Sequence, residues 1–143
     1  MYSADRSTNG GSSHAFGQVA EIALPTGRGA PRAARQVVDD CLSPLVAPPI
    51  LDDARLLVSE LVTNSVRHAG LGEDDAVLVR ILLAAQALRL EIENPGTAGV
   101  IAAGSPDREA GRGFGLQLLE VLANRWGVSR EQSTRVWFEM TRA

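Results

Sequence analysis

The sequence contains no lysine: all fourteen of its basic residues are arginine. That removes the phosphate-holding lysine of a P-loop, the strand lysine of eukaryotic-type protein kinases, and every mechanism that runs through a Schiff base. Any phosphate chemistry must therefore use backbone amides, arginine or a metal ion. Cysteine is almost as scarce. Cys41 stands alone, which rules out an intramolecular disulfide and leaves no set of thiols for a zinc cluster. No stretch runs long enough without charge to span a bilayer, and the N-terminus lacks the apolar core of a signal peptide. The net charge of -3 leaves no electrostatic footprint for nucleic acid. Neither nucleic acid nor membrane is expected as a partner, and the expected location is the cytoplasm.

What is present is enough apolar material for one core: 143 residues, 45% of them hydrophobic. Residues 1–15 are mostly Ser, Gly, Asn and Asp and are expected to form a disordered tail, with a single domain over residues 16–143. A short alternating run from Phe16 to Leu24 reads as a first strand. Pro31 suits the first turn of a helix extending to about Leu45. In that helix Arg32 and Arg35 come early and Asp39 and Asp40 late, against the preference of the helix dipole. Its polar face is either scattered surface charge or a partner surface. Pro44, Pro48 and Pro49 mark a turn, after which Asp52 and Asp53 favour the start of a long central helix that Gly70 ends.

Two strands are predicted next, Ala76 to Ala84 and Ala87 to Asn94, joined tightly near Gln86 as an antiparallel hairpin. In the second, Leu88, Leu90 and Ile92 alternate with Arg89, Glu91 and Glu93, so one face is buried and the other wet. Pro95 to Gly113 has no clear periodicity, and a loop of that length in a small domain is usually a lid, a binding loop or a disordered segment. A helical pattern from Leu116 that stops by Gly127, and two strands from Trp126 to Arg130 and from Thr134 to Thr141, complete the chain.

Two stretches carry polar groups placed for chemistry. In the central helix the apolar residues Ala54, Leu57, Val58, Leu61, Val62 and Val66 fill one side. At about 100° per residue, Glu60 and Asn64 are about 40° apart at the border of that arc. They either line a pocket or form a solvated polar edge. His68, one turn further on, reads as a packed histidine, and Trp126 and Trp137 as core or sheet-face aromatics. The second stretch is Gly111-Arg112-Gly113-Phe114-Gly115, which opens a helix. Glycines there let the backbone turn and expose successive N–H groups where the helix dipole favours an anion, with phosphate the natural ligand. It is not a dinucleotide fingerprint, since a loop precedes it and position 116 is Leu.

Taken together, Glu60-x-x-x-Asn64, then Glu93-Asn94-Pro95-Gly96, a loop, and Gly-x-Gly-x-Gly opening a helix resemble the ATP-binding fold shared by histidine kinases, Hsp90, gyrase and MutL. Within that superfamily the chain is most similar to small bacterial anti-sigma factor serine kinases of the RsbW and SpoIIAB type and their actinobacterial relatives. Ser59-Glu-Leu-Val-Thr-Asn-Ser-Val-Arg-His-Ala69, Gly111-Arg-Gly-Phe-Gly-Leu116, Asn124-Arg-Trp-Gly-Val128 and Val136-Trp-Phe-Glu-Met140 carry the resemblance. It implies an α+β two-layer sandwich, the Bergerat fold, with a mixed, mostly antiparallel sheet. It also implies ATP and Mg²⁺ as cofactors, with Asn64 as a metal ligand and Glu60 as general base. Asn94, Gly96, Gly111, Arg112, Gly113, Phe114 and Gly115 would complete the nucleotide site beneath a lid over residues 97–110. The implied partners are a sigma factor and an anti-anti-sigma antagonist protein, the latter the substrate of a serine/threonine kinase, with a homodimer as the implied assembly.

Two positions depart from the family pattern. Asn94 stands where the family usually has an Asp that bonds the adenine amino group; an amide oxygen still accepts that bond but without charge. Arg135 stands where the last strand usually has Thr, with Thr134 one place earlier. These departures support an alternative, a non-catalytic module of the same fold that sequesters a transcription regulator. A histidine kinase catalytic domain is disfavoured, because no phosphoacceptor helix pair fits in the residues available.

Overall fold

A computed structural model describes residues 14–68, 75–95 and 114–143. The elements in chain order are β1 (Gly17–Pro25), α1 (Ala30–Leu42), α2 (Pro48–His68), β2 (Ala76–Leu83), β3 (Ala87–Asn94), α3 (Phe114–Leu122), β4 (Arg125–Arg130) and β5 (Thr134–Thr141). The strands form one sheet in the order β1-β2-β3-β5-β4, and all four pairings among the described residues are antiparallel. The helices bury one face of that sheet, giving the expected two-layer α+β architecture.

The side-chain periods explain the layering. In α1 the buried residues step by four, Ala30, Ala34, Val38 and Leu42, which puts them on one stripe. In the sheet every second residue points to the helices: Val77, Val79 and Ile81 on β2, Leu88, Leu90 and Ile92 on β3, Val136, Phe138 and Met140 on β5. Leu57 and Leu61 of α2 are fully buried against these rows. Truncating either to Ala would leave a cavity and cost about 2–5 kcal/mol.

Several element boundaries differ from the sequence reading. α2 begins at Pro48, a turn before Asp52 and Asp53. Proline is tolerated there because the first N–H groups of a helix have no intrahelical acceptor, and the Leu51 N–H already bonds the Ala47 carbonyl at 2.9 Å. α1 ends at Leu42, where Ser43 N–H returns to Asp39 O at 3.0 Å and the chain turns. α3 starts at Phe114 and β4 at Arg125, slightly earlier than the apolar patterns alone suggest. β1 runs from Gly17 to Pro25 with a register shift between Gln18 and Ala20.

Part of the charged face of α1 is used inside the molecule. Arg35 donates to Ser59 Oγ of α2 at 2.6 Å, and Asp39 lies 3.5 Å from the Arg55 guanidinium. Both contacts tie α1 to α2, while Arg32 and Asp40 of the same helix are exposed. No described helix is long and apolar enough to cross a membrane.

Candidate functional site

The core-facing rows of β3 and β5 end in polar residues, and there β3 meets α2. Leu88, Leu90 and Ile92 are followed two residues on by Asn94, and Met140, Phe138 and Val136 lead down to Thr134. Strand alternation therefore places Asn94 and Thr134 on the helix side as the last rung of an otherwise apolar ladder. They stand directly opposite each other in the register, 4% and 1% exposed. From above, α2 contributes Asn64 and Ser65, both buried, with Glu60 one turn earlier and half-buried.

One contact links the two layers here: Asn94 donates from Nδ2 to Ser65 Oγ at 3.4 Å. The other end of the same amide, Oδ1, is buried without a hydrogen-bond partner. A buried carbonyl oxygen left unpaired costs about 1–3 kcal/mol, so such an atom in a native site calls for a donor from a ligand or water. A cavity of about 420 Å³ also touches Asn94, but Leu78 and Glu93, which line it with Asp75, Ala76 and Pro95, belong to the outward-facing rows, so it opens at the strand ends and not beneath Glu60, Asn64 and Ser65.

Residues on the opposite parity leave the site. Arg135 follows Thr134 and points to the outer face of the sheet, where its Nη2 lies 3.7 Å from Glu93. Its position in the last strand thus says nothing against a ligand contact from Thr134. Glu93 is held by Arg80 at 2.8 Å and by the Ser133 hydroxyl. Burial alone would push the Glu93 carboxyl up. The hydrogen bonds from Ser133 and Arg80, with the charges of Arg80 and Arg135, more than offset this and hold it below the ordinary carboxylate range. The same outer face carries Trp137 beneath the Arg89 guanidinium, 4.1 Å from the ring centre, and Glu139 bonded to Arg89 at 2.7 Å. Trp126 sits on the helix side in the core. Both tryptophans are thus the packed aromatics that the sequence suggested.

Sequence reasoning identified Glu60, Asn64 and Asn94, and the structure brings these onto one pair of elements. It did not single out Ser65, whose only signal is its place immediately after Asn64, about 100° further round the helix. It left Thr134 unassigned, although strand parity with Val136 and Phe138 marks it as inward-facing. Gly96, Gly111, Arg112, Gly113 and the lid over residues 97–110 lie outside the described residues. Phe114 and Gly115 form the first turn of α3, while the side chains of Phe114 and His68 are likewise outside what is described.

The donor set fits a nucleotide with a hard metal ion. Asn94 Oδ1 is a buried acceptor without a partner, and Asn64 carries an amide oxygen of the kind Mg²⁺ takes alongside phosphate and water oxygens. Among the described residues no group of three or more His, Cys, Asp or Glu side chains could hold a metal. Most ligands of a bound ion would therefore come from phosphate and water.

Comparison with known proteins gives the class. Residues 26–140 match the model of the histidine kinase-like ATPase domain, and the chain belongs to that family. Among solved structures, it is similar to the RsbU and RsbW domains of Rv1364c from Mycobacterium tuberculosis. The TM-score is 0.67 at 18% sequence identity, covering 87% of this chain and 33% of that one. The chain thus spans about a third of the length of that protein's structure, and the likeness is one of fold. No curated protein matches the chain.

Proposed function

We propose that the chain is an ATP- and Mg²⁺-dependent serine/threonine kinase of the anti-sigma type. In this reading it acts in the cytoplasm as a homodimer, binds a sigma factor, and phosphorylates an antagonist protein. Membership of the histidine kinase-like ATPase family and the fold shared with a structure that includes an RsbW domain support it. The observation that carries it is the buried Asn94 Oδ1, without a hydrogen-bond partner at the end of β3, beside Ser65 of the helix that also holds Glu60 and Asn64.

In this reading Asn94 and Thr134 receive the base, and Asn64 supplies one oxygen to Mg²⁺. The metal neutralises phosphate charge when bound. Gly111, Arg112, Gly113, Phe114 and Gly115 would hold the phosphates, and Gly96 would let the chain pass near the base. Glu60 takes the proton from the attacking serine hydroxyl as that oxygen bonds to the γ-phosphorus and the bond to the departing ADP breaks. Glu60 is half-buried on α2, one helical turn before Asn64.

The replacement of a charged acceptor by Asn94 favours a second reading, a non-catalytic module that sequesters a transcription regulator. Titration calorimetry with ATP and Mg²⁺, followed by transfer of labelled γ-phosphate to candidate antagonists, separates the two. Nucleotide binding with phosphotransfer lost in Glu60→Gln supports the kinase. Binding without transfer to any antagonist supports the module, and absence of binding overturns the kinase.

A further inference from the structure

The Asn94–Ser65 contact has an unusual property for a base-reading pair: both partners can reverse their roles. An amide presents an acceptor at one end and two donors at the other, and a hydroxyl both donates and accepts. As the structure stands, Nδ2 gives its hydrogen to Ser65 Oγ, and Oδ1 is buried without a partner, an acceptor that an N–H donor of a bound base would satisfy. Turning the amide over exchanges the two ends. Oδ1 then accepts from the Ser65 hydroxyl, and Nδ2 becomes the end that a carbonyl of a bound base would satisfy. Both polar ends of the amide are satisfied in either state once a ligand is present. The contact that holds the present orientation is long, 3.4 Å, at the weak end of hydrogen-bond geometry.

On the reading that Asn94 meets the base, we propose that Asn94 and Ser65 form a reversible hydrogen-bond reader, so that the site takes both 6-amino and 6-oxo purine nucleoside triphosphates. An aspartate at position 94 would offer acceptors only, and a 6-oxo group brought against it would meet oxygen facing oxygen. The amide removes that rejection, because a site discriminates strongly only when the wrong ligand leaves a buried polar group unpaired. Ser65 is a positioning residue in this scheme. It touches the amide, keeps whichever end the base does not use satisfied, and does not itself choose between the bases.

The test is equilibrium binding, independent of any phosphotransfer. ATP and ITP differ at the 6-position, with the accompanying proton on N1, and each is titrated with Mg²⁺ into the wild type, Asn94→Asp and Ser65→Ala by calorimetry. Melting temperatures confirm that each variant is folded. The wild type is expected to bind ATP and ITP within about tenfold of each other, and Asn94→Asp to widen the preference for ATP beyond about a hundredfold. Ser65→Ala leaves one end of the amide unpaired in either complex, so both affinities should fall by a similar factor of about ten, with their ratio unchanged.

A wild-type preference for ATP above about a hundredfold overturns the reader while leaving the nucleotide site in place. A change of the ATP to ITP ratio in Ser65→Ala does the same, since Ser65 would then be fixing one orientation. If the wild type binds neither nucleotide but Asn94→Asp binds ATP, the reader is wrong and the base assignment of position 94 stands. If no variant binds either nucleotide, the proposed function falls with it.

Discussion

Arg142 and Leu45 are 97 residues apart in sequence, yet the guanidinium of the first donates twice to the carbonyl of the second, from Nε at 3.2 Å and Nη2 at 2.9 Å. Its Nη1 reaches the Ala84 carbonyl at 2.9 Å, while the Arg142 backbone accepts from Ala47 N–H and donates to Gln86 O. One side chain thus joins the turn between the two long helices, the β2–β3 turn and the C-terminal end of β5. Arg142→Ala is expected to destabilise the fold by about 1–2 kcal/mol, since the carbonyls are partly exposed and regain water. Arg142→Lys should recover only part of this, because an ammonium cannot reach separate carbonyls in a fixed fork. Urea unfolding followed by circular dichroism checks both values.

Glu60 and Asn64 should fail differently. Glu60→Gln is expected to keep ATP affinity and to lower phosphotransfer by about 10²–10⁴-fold, the usual contribution of a positioned general base. Asn64→Ala should instead remove the Mg²⁺-dependent part of ATP binding. Calorimetry with and without Mg²⁺, beside a phosphotransfer assay, distinguishes them. Equal losses of binding in both variants would count against the separate roles.

Strand parity makes a sharp claim about the last strand. Arg135→Thr should leave ATP binding unchanged, because residue 135 points to the outer face beside Glu93. Thr134→Val, nearly the same shape without the hydroxyl, should weaken binding several-fold, by about 1 kcal/mol for one buried hydrogen bond. The reverse pattern in a nucleotide titration would refute the placement of Thr134 on the base side.

Acid should reveal Glu93. Its carboxyl titrates below the ordinary range in the folded protein, so in the window between its folded and unfolded values the unfolded chain binds more protons. The resulting stability is present above the unfolded value and is lost as pH falls through the ordinary carboxylate range to the folded one. Glu93→Gln should therefore show a shallower loss of stability on that acid limb than the wild type. Urea midpoints measured from neutral pH downward provide the comparison, and parallel curves would contradict it.

Much of this architecture is legible in the sequence because each element carries its own period. The alternation of Leu88, Leu90 and Ile92 against Arg89, Glu91 and Glu93 locates β3 and its buried face, and the apolar arc around Leu57 and Leu61 locates α2. The start of α2 was less legible, since prolines at 48 and 49 read equally as a turn or as a first helical turn, and the choice depends on the neighbouring chain. Ser65 and Thr134 were hidden for a different reason. Their importance comes from facing Asn94 across a layer and across a strand, a relation set by register that no local pattern records. Arg135 drew attention for the same reason: the alternation that sends it outward is visible only once Val136 and Phe138 are known to point in.

The place of β3 in the sheet has a consequence for how the chain breathes. Flanked by β2 on one side and β5 on the other, β3 has no free edge, so its amide hydrogens exchange with solvent only when the sheet itself comes apart. Asn94 is fixed to the end of that strand and Ser65 to the helix above it. Fraying of the edge strands β1 and β4 therefore leaves the backbone that carries Asn94 in place, and the amide can turn over at the end of a strand that does not itself move.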